Sequence, residues 1–356
     1  MKSDMFEDFL KNKKKWLNLK GFRSQIVISS RLRLARNIKD YPFPARANIK
    51  QKEKILQELK EIYPQVKEFN PAIFVKMDEL DLLDRQFLLE RHLVSQEHMT
   101  DLRGTGLIIS LDEKLSLMIN EEDHIRLQVL LPGFDLERMW RLINRVDDVL
   151  SEKISFAFLP DIGYLTSCIT NVGTALRASC MLHLPALILT KRINKIFELL
   201  TKLSFTARGL FGEGTQALGN FFQISNQVSL GLSEKELIDN LYGIVVQIEE
   251  QEESAREVLL KKHKNNLEDS VWRALGILRT ARLITTKEAL SHLSLLRLGL
   301  DLGIIKRIKT NLINNLFIVI QPAHLQKIEG RILGEKERDY IRAVFLRHKL
   351  KGNLAD

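Results

Sequence analysis

The chain has 356 residues, enough for a large core and two domains, and 45% hydrophobic with 28% charged residues is ordinary soluble-globular composition. The longest mostly apolar window, residues 178–190, contains His183 and Pro185 and is too short to span a bilayer, while the charged first residues lack the apolar run of a secretory signal, so a cytoplasmic protein without membrane contact is expected. The net charge of +9 is uneven: residues 1–256 carry 35 Lys+Arg against 35 Asp+Glu, whereas 257–356 carry 19 against 10, which points to a basic C-terminal module able to meet acidic partners or to present a solvated basic face.

Residues 1–20 read as a short helix with a basic patch at Lys11, Lys13, Lys14 and Lys15. Residues 25–30 read as a strand, followed by the arginine-rich 31–36. Residues 49–62 have helical spacing, with Leu56, Leu59 and Ile62 on one face. Residues 106–110 and 115–119 alternate as a hairpin around 111–114. Residues 136–152 form an amphipathic helix, and 156–160 and 164–167 look like strands separated by 161–163. Residues 175–184 read as a helix stopped by Pro185, with Arg177 at its start. Residues 205–230 mix a glycine-rich loop (Gly209, Gly212, Gly214, Gly219) with a strand at 221–225. From Ser233 the pattern is helical, most clearly at 293–303 and 335–350. The expectation is an α+β fold, an antiparallel sheet flanked by helices over residues 1–250, followed by an all-helical basic domain over 251–356.

The run Asn120-Glu121-Glu122-Asp123-His124-Ile125-Arg126 follows an apolar strand and contains none of the Gly, Pro or Ser of an ordinary turn. It is either a charged turn or the chemical edge of a site, since strand ends often deliver catalytic groups. The chain has no Walker-type glycine loop and no GxGxxG. It offers arginines instead: Arg31, Arg33, Arg126, Arg177 and Arg208, whose fork-shaped donors could ring a triphosphate or could be ordinary surface charges. Cys168 and Cys180 have no metal or disulfide spacing and read as free thiols.

SSRLRLAR (29–36), NEEDHIR (120–126), GYLTSCITNVGTALRAS (163–179) and RGLFGEG (208–214) stand in the order and spacing of the phosphagen (guanido) kinase catalytic domain, which the chain resembles over residues 20–245. Within that superfamily it is most similar to the bacterial protein arginine kinases, through Phe43-Pro44, RASCMLHLP (177–185) and QISNQ (223–227).

The resemblance implies an ATP- and Mg²⁺-dependent enzyme in which Arg31, Arg33, Arg126, Arg177 and Arg208 clamp the phosphates. Ser29 and Asn171 are placed with them, and His92 contacts the nucleotide. Glu122 would orient and deprotonate the attacking guanidinium, Glu121 would support it, and Glu213 would hold it from the other side. A guanidinium keeps its proton up to a pKa above about 12, so carboxylates must align it and take up that proton. Cys168 would lie beside it as a thiolate favoured by nearby arginines. The family's CP[ST]N is here Cys168-Ile169-Thr170-Asn171, which restores a backbone N–H and frees φ where proline would fix it.

In the tail, Arg338-Asp339-Tyr340-Ile341-Arg342-Ala343 matches the family's RDxxRA motif. The resemblance gives it a second, non-catalytic phosphoarginine site, with Arg338 or Arg342 on the phosphoryl oxygens and Asp339 on the guanidinium. It further implies phosphorylation of arginine side chains in proteins as a degradation mark in a stress response, an McsA-type activator, the ClpC–ClpP protease and a homodimer. Two other functions stay open: a phosphagen kinase for free arginine or a small guanidino compound, and a non-catalytic phosphoarginine-binding regulator. Only 28 residues precede the first motif, where small-substrate enzymes carry a separate helical domain, which favours a protein substrate. The tail's scattered aromatics argue against nucleic acid.

Overall fold

The computed structural model describes residues 9, 21–209 and 218–351. The strands are β1 (Val27–Arg36), β2 (Ala72–Lys76), β3 (Gly106–Ser110), β4 (Leu115–Ile119), β5 (Ile125–Pro132), β6 (Phe158–Leu159), β7 (Gly163–Tyr164), β8 (Leu176–His183), β9 (Phe205–Gly209) and β10 (Phe221–Asn226). The helices are α1 (Ile49–Ile62), α2 (Leu82–Glu90), α3 (Leu136–Ser151), α4 (Pro185–Leu189), α5 (Ile193–Lys202), α6 (Glu234–Lys262), α7 (Lys264–Thr280), α8 (Thr286–Asp301), α9 (Thr310–Val319), α10 (Pro322–Glu329) and α11 (Glu335–Leu350). No helix among the described residues is long and apolar enough to cross a membrane.

The chain divides into two compact units. The first is Met1–Trp16, Ser29–Cys180 and Ser225–Gly243; the second is Leu17–Ile28, Met181–Ile224 and Ile244–Asp356. Residue 250, where the catalytic and helical domains were expected to part, falls inside α6.

In the first unit the sheet neighbours run β2-β3-β4-β5-β1-β8-β10. The pairs β2–β3, β3–β4, β4–β5 and β1–β5 are antiparallel. On β1, Leu32 and Leu34 are fully buried and Arg36, on the same face, pairs with Asp147 of α3 at 2.8 Å. That face therefore carries the core, and α3 covers it with Met139, Ile143, Val146 and Leu150. The other face carries Arg31 and Arg33. Helix α1 starts at a capping box: Asn48 accepts from the Gln51 N–H at 3.0 Å, and the Gln51 side chain accepts from the Asn48 N–H at 2.9 Å.

In the second unit the sheet neighbours run β1-β8-β10-β9, and among the described residues it holds α4, α5, α7 to α11 and the greater part of α6. Its interior holds charge as well as apolar side chains. Glu252 accepts from the Ala186 and Leu187 N–H groups at the start of α4 and pairs with Arg256 at 3.0 Å. Arg256 and Arg297 both reach Asp301, and Arg297 also donates to the Ser24 and Gln25 carbonyls.

Residues 175–184 differ from the helix expected of them. They form β8, with Leu176, Ala178, Cys180 and Leu182 alternating against Arg177, Ser179 and Met181. A ten-residue apolar run does not separate helix from strand by period, and here pairing decides. Ala178 N–H donates to Asn226 Oδ1 at 2.8 Å, and Ala175 takes a left-handed φ of 52° and accepts from the Ala35 N–H. Pro185 begins α4 rather than ending a helix. The first strand is also longer than expected and runs through the arginine-rich stretch to Arg36. The helix expected over residues 1–20 lies outside the described residues, apart from Phe9.

Candidate active site

Directly opposed residues of an antiparallel pair share a face. The register Arg31↔Leu130, Arg33↔Gln128 and Ala35↔Arg126 therefore puts Arg31, Arg33, Gln128 and Arg126 on the face of the first unit's sheet opposite α3. Ser29, buried and opposite Pro132, continues that face. Arg177 comes from β8, where its Nη2 lies 3.4 Å from Ser225 Oγ.

The four guanidinium groups feel one another. Burial first, and then Arg126 and Arg177, push the Arg31 pKa down to about 10. Burial also pushes the Arg33 pKa well below its ordinary value, helped by Arg31, Arg126 and Arg177. Its Nε is buried with no hydrogen-bond partner among the described residues. Concentrated, mutually repelling positive charge on donors of fork geometry is a site for a polyanion.

The loop between β4 and β5 stands at the edge of this face. Asn120 adopts φ 57°, its N–H donates to His124 O at 2.9 Å, and its side chain donates to Lys52 O and Gly104 O. Glu121 turns inward and takes hydrogen bonds from Arg126 and Ser95 Oγ. Burial alone would raise its pKa, but Arg126 and the Ser95 hydroxyl hold it at about 2. Glu122 turns outward and is exposed. Burial of part of its carboxylate, and then Asp123 and Glu121, raise its pKa.

Asp123 and His124 are structural ties. Asp123, 2% exposed, accepts from Asn37 Nδ2 at 2.6 Å and from the Ser167 N–H at 2.7 Å. His124 Nδ1 accepts from the Ile38 N–H at 3.0 Å, and Nε2 donates to Pro42 O at 3.0 Å. The Ser167 hydroxyl donates to Glu122 O at 2.7 Å. The segment bearing Cys168 is thus fastened to the segment bearing Glu122. Cys168 Sγ lies 3.0 Å from Thr170 Oγ1, and the Cys168 carbonyl accepts from the Asn171 N–H at 3.0 Å. Asn171 closes a single helical turn, Ile169–Asn171.

His92 arrives on the segment after α2 with φ 60°, and its carbonyl accepts from Gln128 Nε2 at 2.8 Å. Burial, with Arg31 nearby, drops its pKa to about 3, so it is a neutral imidazole at physiological pH. Its neighbour Arg91 forms a fully buried ion pair with Glu113 in the β3–β4 turn.

The sequence did not single out Asn37, Ser95, Gln128 or the Arg91–Glu113 pair. Asn37 follows its motif by one residue and Ser95 follows His92 by three. Nothing in their residue type marks them apart from that proximity.

Arg208 is an exposed residue of β9 in the second unit. Glu213 lies outside the described residues. In the same unit, Arg338, Asp339 and Arg342 occupy α11. Arg342 is buried, donates to Ile320 O and Ile284 O at 2.9 Å each, and pairs with Asp339. Arg338 is half-buried.

Residues 52–255 match the family model for the ATP:guanido phosphotransferase C-terminal catalytic domain, and residues 264–355 match that for the protein-arginine kinase McsB C-terminal domain. Among solved structures, the duplicated taurocyamine kinase of Schistosoma mansoni, bound to transition-state analogue components, aligns with TM-score 0.57 and 23% identity, over 66% of this chain and 34% of that one. Lombricine kinase aligns with TM-score 0.55 and 22% identity, over 65% of this chain and 68% of that one. The fold is that of the guanidino kinases. The protein-arginine kinase of Desulforamulus reducens is 46% identical over 340 residues, covering 94% of this chain and 95% of that protein, and that of Bacillus subtilis is 44% identical over 94% and 93%. The chain belongs to the protein-arginine kinase family.

Proposed function

We propose that this enzyme transfers the γ-phosphoryl group of ATP to the guanidinium groups of arginine side chains in proteins. The observation that carries the reading is the junction on one sheet face of four mutually repelling arginines with a raised-pKa carboxylate, Glu122, at their edge. Arg31, Arg33, Arg126 and Arg177 would hold the phosphates and offset the charge that develops on the transferring group. Neutral His92 would meet the nucleotide, with Ser29 and Asn171 alongside the phosphates. On the family resemblance alone, Arg208 would bind phosphate and Glu213 the guanidinium.

Glu122 receives the substrate guanidinium. A bond forms from a terminal guanidinium nitrogen to the γ-phosphorus, the bond from that phosphorus to the β–γ bridging oxygen breaks, and the nitrogen's proton passes to Glu122. A carboxylate with a raised pKa suits that task better than an ordinary one. Glu121 would support it rather than take the proton, because Arg126 and Ser95 both donate to its Oε1 and hold its carboxylate ionised; it fixes Arg126 in place. Cys168 lies on the segment tied to Glu122 and would flank the guanidinium.

Among the described residues, no group of three or more His, Cys, Asp and Glu side chains could hold a metal ion. Mg²⁺ would arrive on ATP, as that ion commonly does. Its contribution when bound is to neutralise phosphate charge.

The wider role follows the family: a cytoplasmic homodimer, assisted by an McsA-type activator, marking proteins for ClpC–ClpP. A second reading concerns the tail only. There Arg338, with Asp339 held in place by Arg342, would bind a phosphoarginine, the buried Arg342 acting as the fixture rather than the grip.

The test is incubation with ATP and Mg²⁺ of free arginine and, separately, of an unfolded arginine-rich protein. Acid-labile phosphate is expected on the protein. Label confined to free arginine would assign the enzyme to the small-guanidine kinases instead.

A further inference from the structure

Beside Glu122 the first unit carries a collar of apolar side chains left exposed to solvent. Phe158, Leu159 and Ile162 come from the β6–β7 hairpin, Ile169 follows Cys168, and Val228 and Leu230 lie between β10 and α6. Their exposures run from 43% for Ile162 to 84% for Ile169.

The three segments are joined backbone to backbone. A Cβ on Gly163 (φ 100°) would lie 2.5 Å from Gly173 O, and one on Gly173 (φ 109°) would lie 2.9 Å from both Leu230 Cα and Ser229 O. The Ser229 hydroxyl donates to Val172 O at 3.0 Å. Only glycine permits such approach and such φ values. The result is one built surface, and contiguous exposed apolar surface on a soluble protein marks an interaction site.

The surrounding charge indicates the occupant. The collar is continuous, through Ser167 and Cys168, with Glu122, on which the carboxylates of Asp123, Glu121 and Glu97 outweigh Arg126. A ligand here is cationic at its centre and apolar at its flanks. An extended polypeptide advances about 3.3 Å per residue, so the neighbours of an arginine held at Glu122 pass over the rim within one or two residues. We propose that the collar receives apolar residues flanking the target arginine in an unfolded polypeptide, so that the enzyme selects arginines in segments that a folded protein would bury. This rests on the protein-arginine reading above.

The test uses the full-length enzyme with ATP and Mg²⁺ and two peptides carrying one arginine, flanked either by Leu and Val or by Gly and Ser. The wild-type KM should be about tenfold lower for the apolar-flanked peptide, the effect of burying one to two aliphatic side chains in part. Leu159→Ser and Leu230→Ser, on separate segments, should each raise that KM about fivefold while kcat and the KM for the polar-flanked peptide hold. Equal wild-type KM values for the two peptides, or variants that leave the apolar preference intact, would overturn the collar while the substrate reading stands. Variants that turn a dimer into a monomer in light scattering without changing peptide KM would make the surface a self-interface and also overturn it. No phosphorylation of either peptide by the wild type defeats the substrate reading itself, before any variant is compared.

Discussion

Burial acts on Glu121 and Glu122 in the same direction, yet these chain neighbours end with opposite proton affinities. Glu121 has Arg126 and Ser95 against its Oε1 and sits at about 2; for Glu122, partial burial and the carboxylates of Asp123 and Glu121 outweigh the pull of Arg126, and its pKa is raised. For Glu121 the depressed value means a stabilising contribution that is complete above the ordinary carboxylate range and is lost as pH falls towards 2. For Glu122 the sign is reversed: ionised, it opposes folding, and that cost disappears as pH falls through its raised value. As the proposed proton acceptor it must be ionised. The acid limb of kcat/KM should therefore lie above the ordinary glutamate pKa of about 4.3, and that limb should vanish in Glu122→Gln along with about a hundredfold to ten-thousandfold of kcat. A pH–rate profile with its acid limb at or below the ordinary value would contradict the assignment. ATP binding by Glu122→Gln, followed by calorimetry, should change less than about twofold, since the arginine clamp is untouched.

At the scale of elements, the site depends on ties between segments. Arg91 and Glu113 are a fully buried pair joining the His92 segment to the β3–β4 turn. Glu113→Ala leaves a buried guanidinium uncompensated and should cost about 3–5 kcal/mol in denaturant unfolding, whereas an Arg91→Met, Glu113→Leu double variant should recover most of it. Asp123 ties Asn37 and the Ser167 backbone. Asp123→Ala strands both donors, costing about 1–3 kcal/mol, and should lower kcat with little change in the KM for ATP. These ties also mark what the sequence could tell. The arginines, Glu122 and Cys168 lie in contiguous motifs, so the family resemblance can point to them within one stretch of sequence. Asn37, Ser95 and Gln128 act through partners 26 to 86 residues away, and no local pattern encodes such pairings. The same limit turned residues 175–184 from an expected helix into β8, since only Asn226 and the neighbouring strands decide between the two. The helices at 49–62 and 335–350 were readable because period and end signals agree within one segment.

For the whole molecule, the mutual repulsion of Arg31, Arg33, Arg126 and Arg177 is relieved when a polyanion binds. ATP should therefore raise the unfolding free energy, by about 2.7 kcal/mol at a hundredfold excess over its Kd. Replacing Arg33 with Met should remove most of that ligand effect while leaving the unliganded protein no less stable, because it removes one of the mutually repelling charges. The C-terminal region contributes separately. Arg338→Ala should abolish binding of a phosphoarginine peptide measured by titration, with transfer to free arginine unchanged. The most direct test of the central claim is mass-spectrometric mapping, under conditions that preserve N–P bonds, of an unfolded arginine-rich protein incubated with ATP, Mg²⁺ and either the wild-type enzyme or Glu122→Gln. The predicted result is phosphate on arginine guanidinium groups with the wild type and its near-absence with the variant; phosphate on hydroxyl side chains, or equal arginine labelling by both, would contradict it.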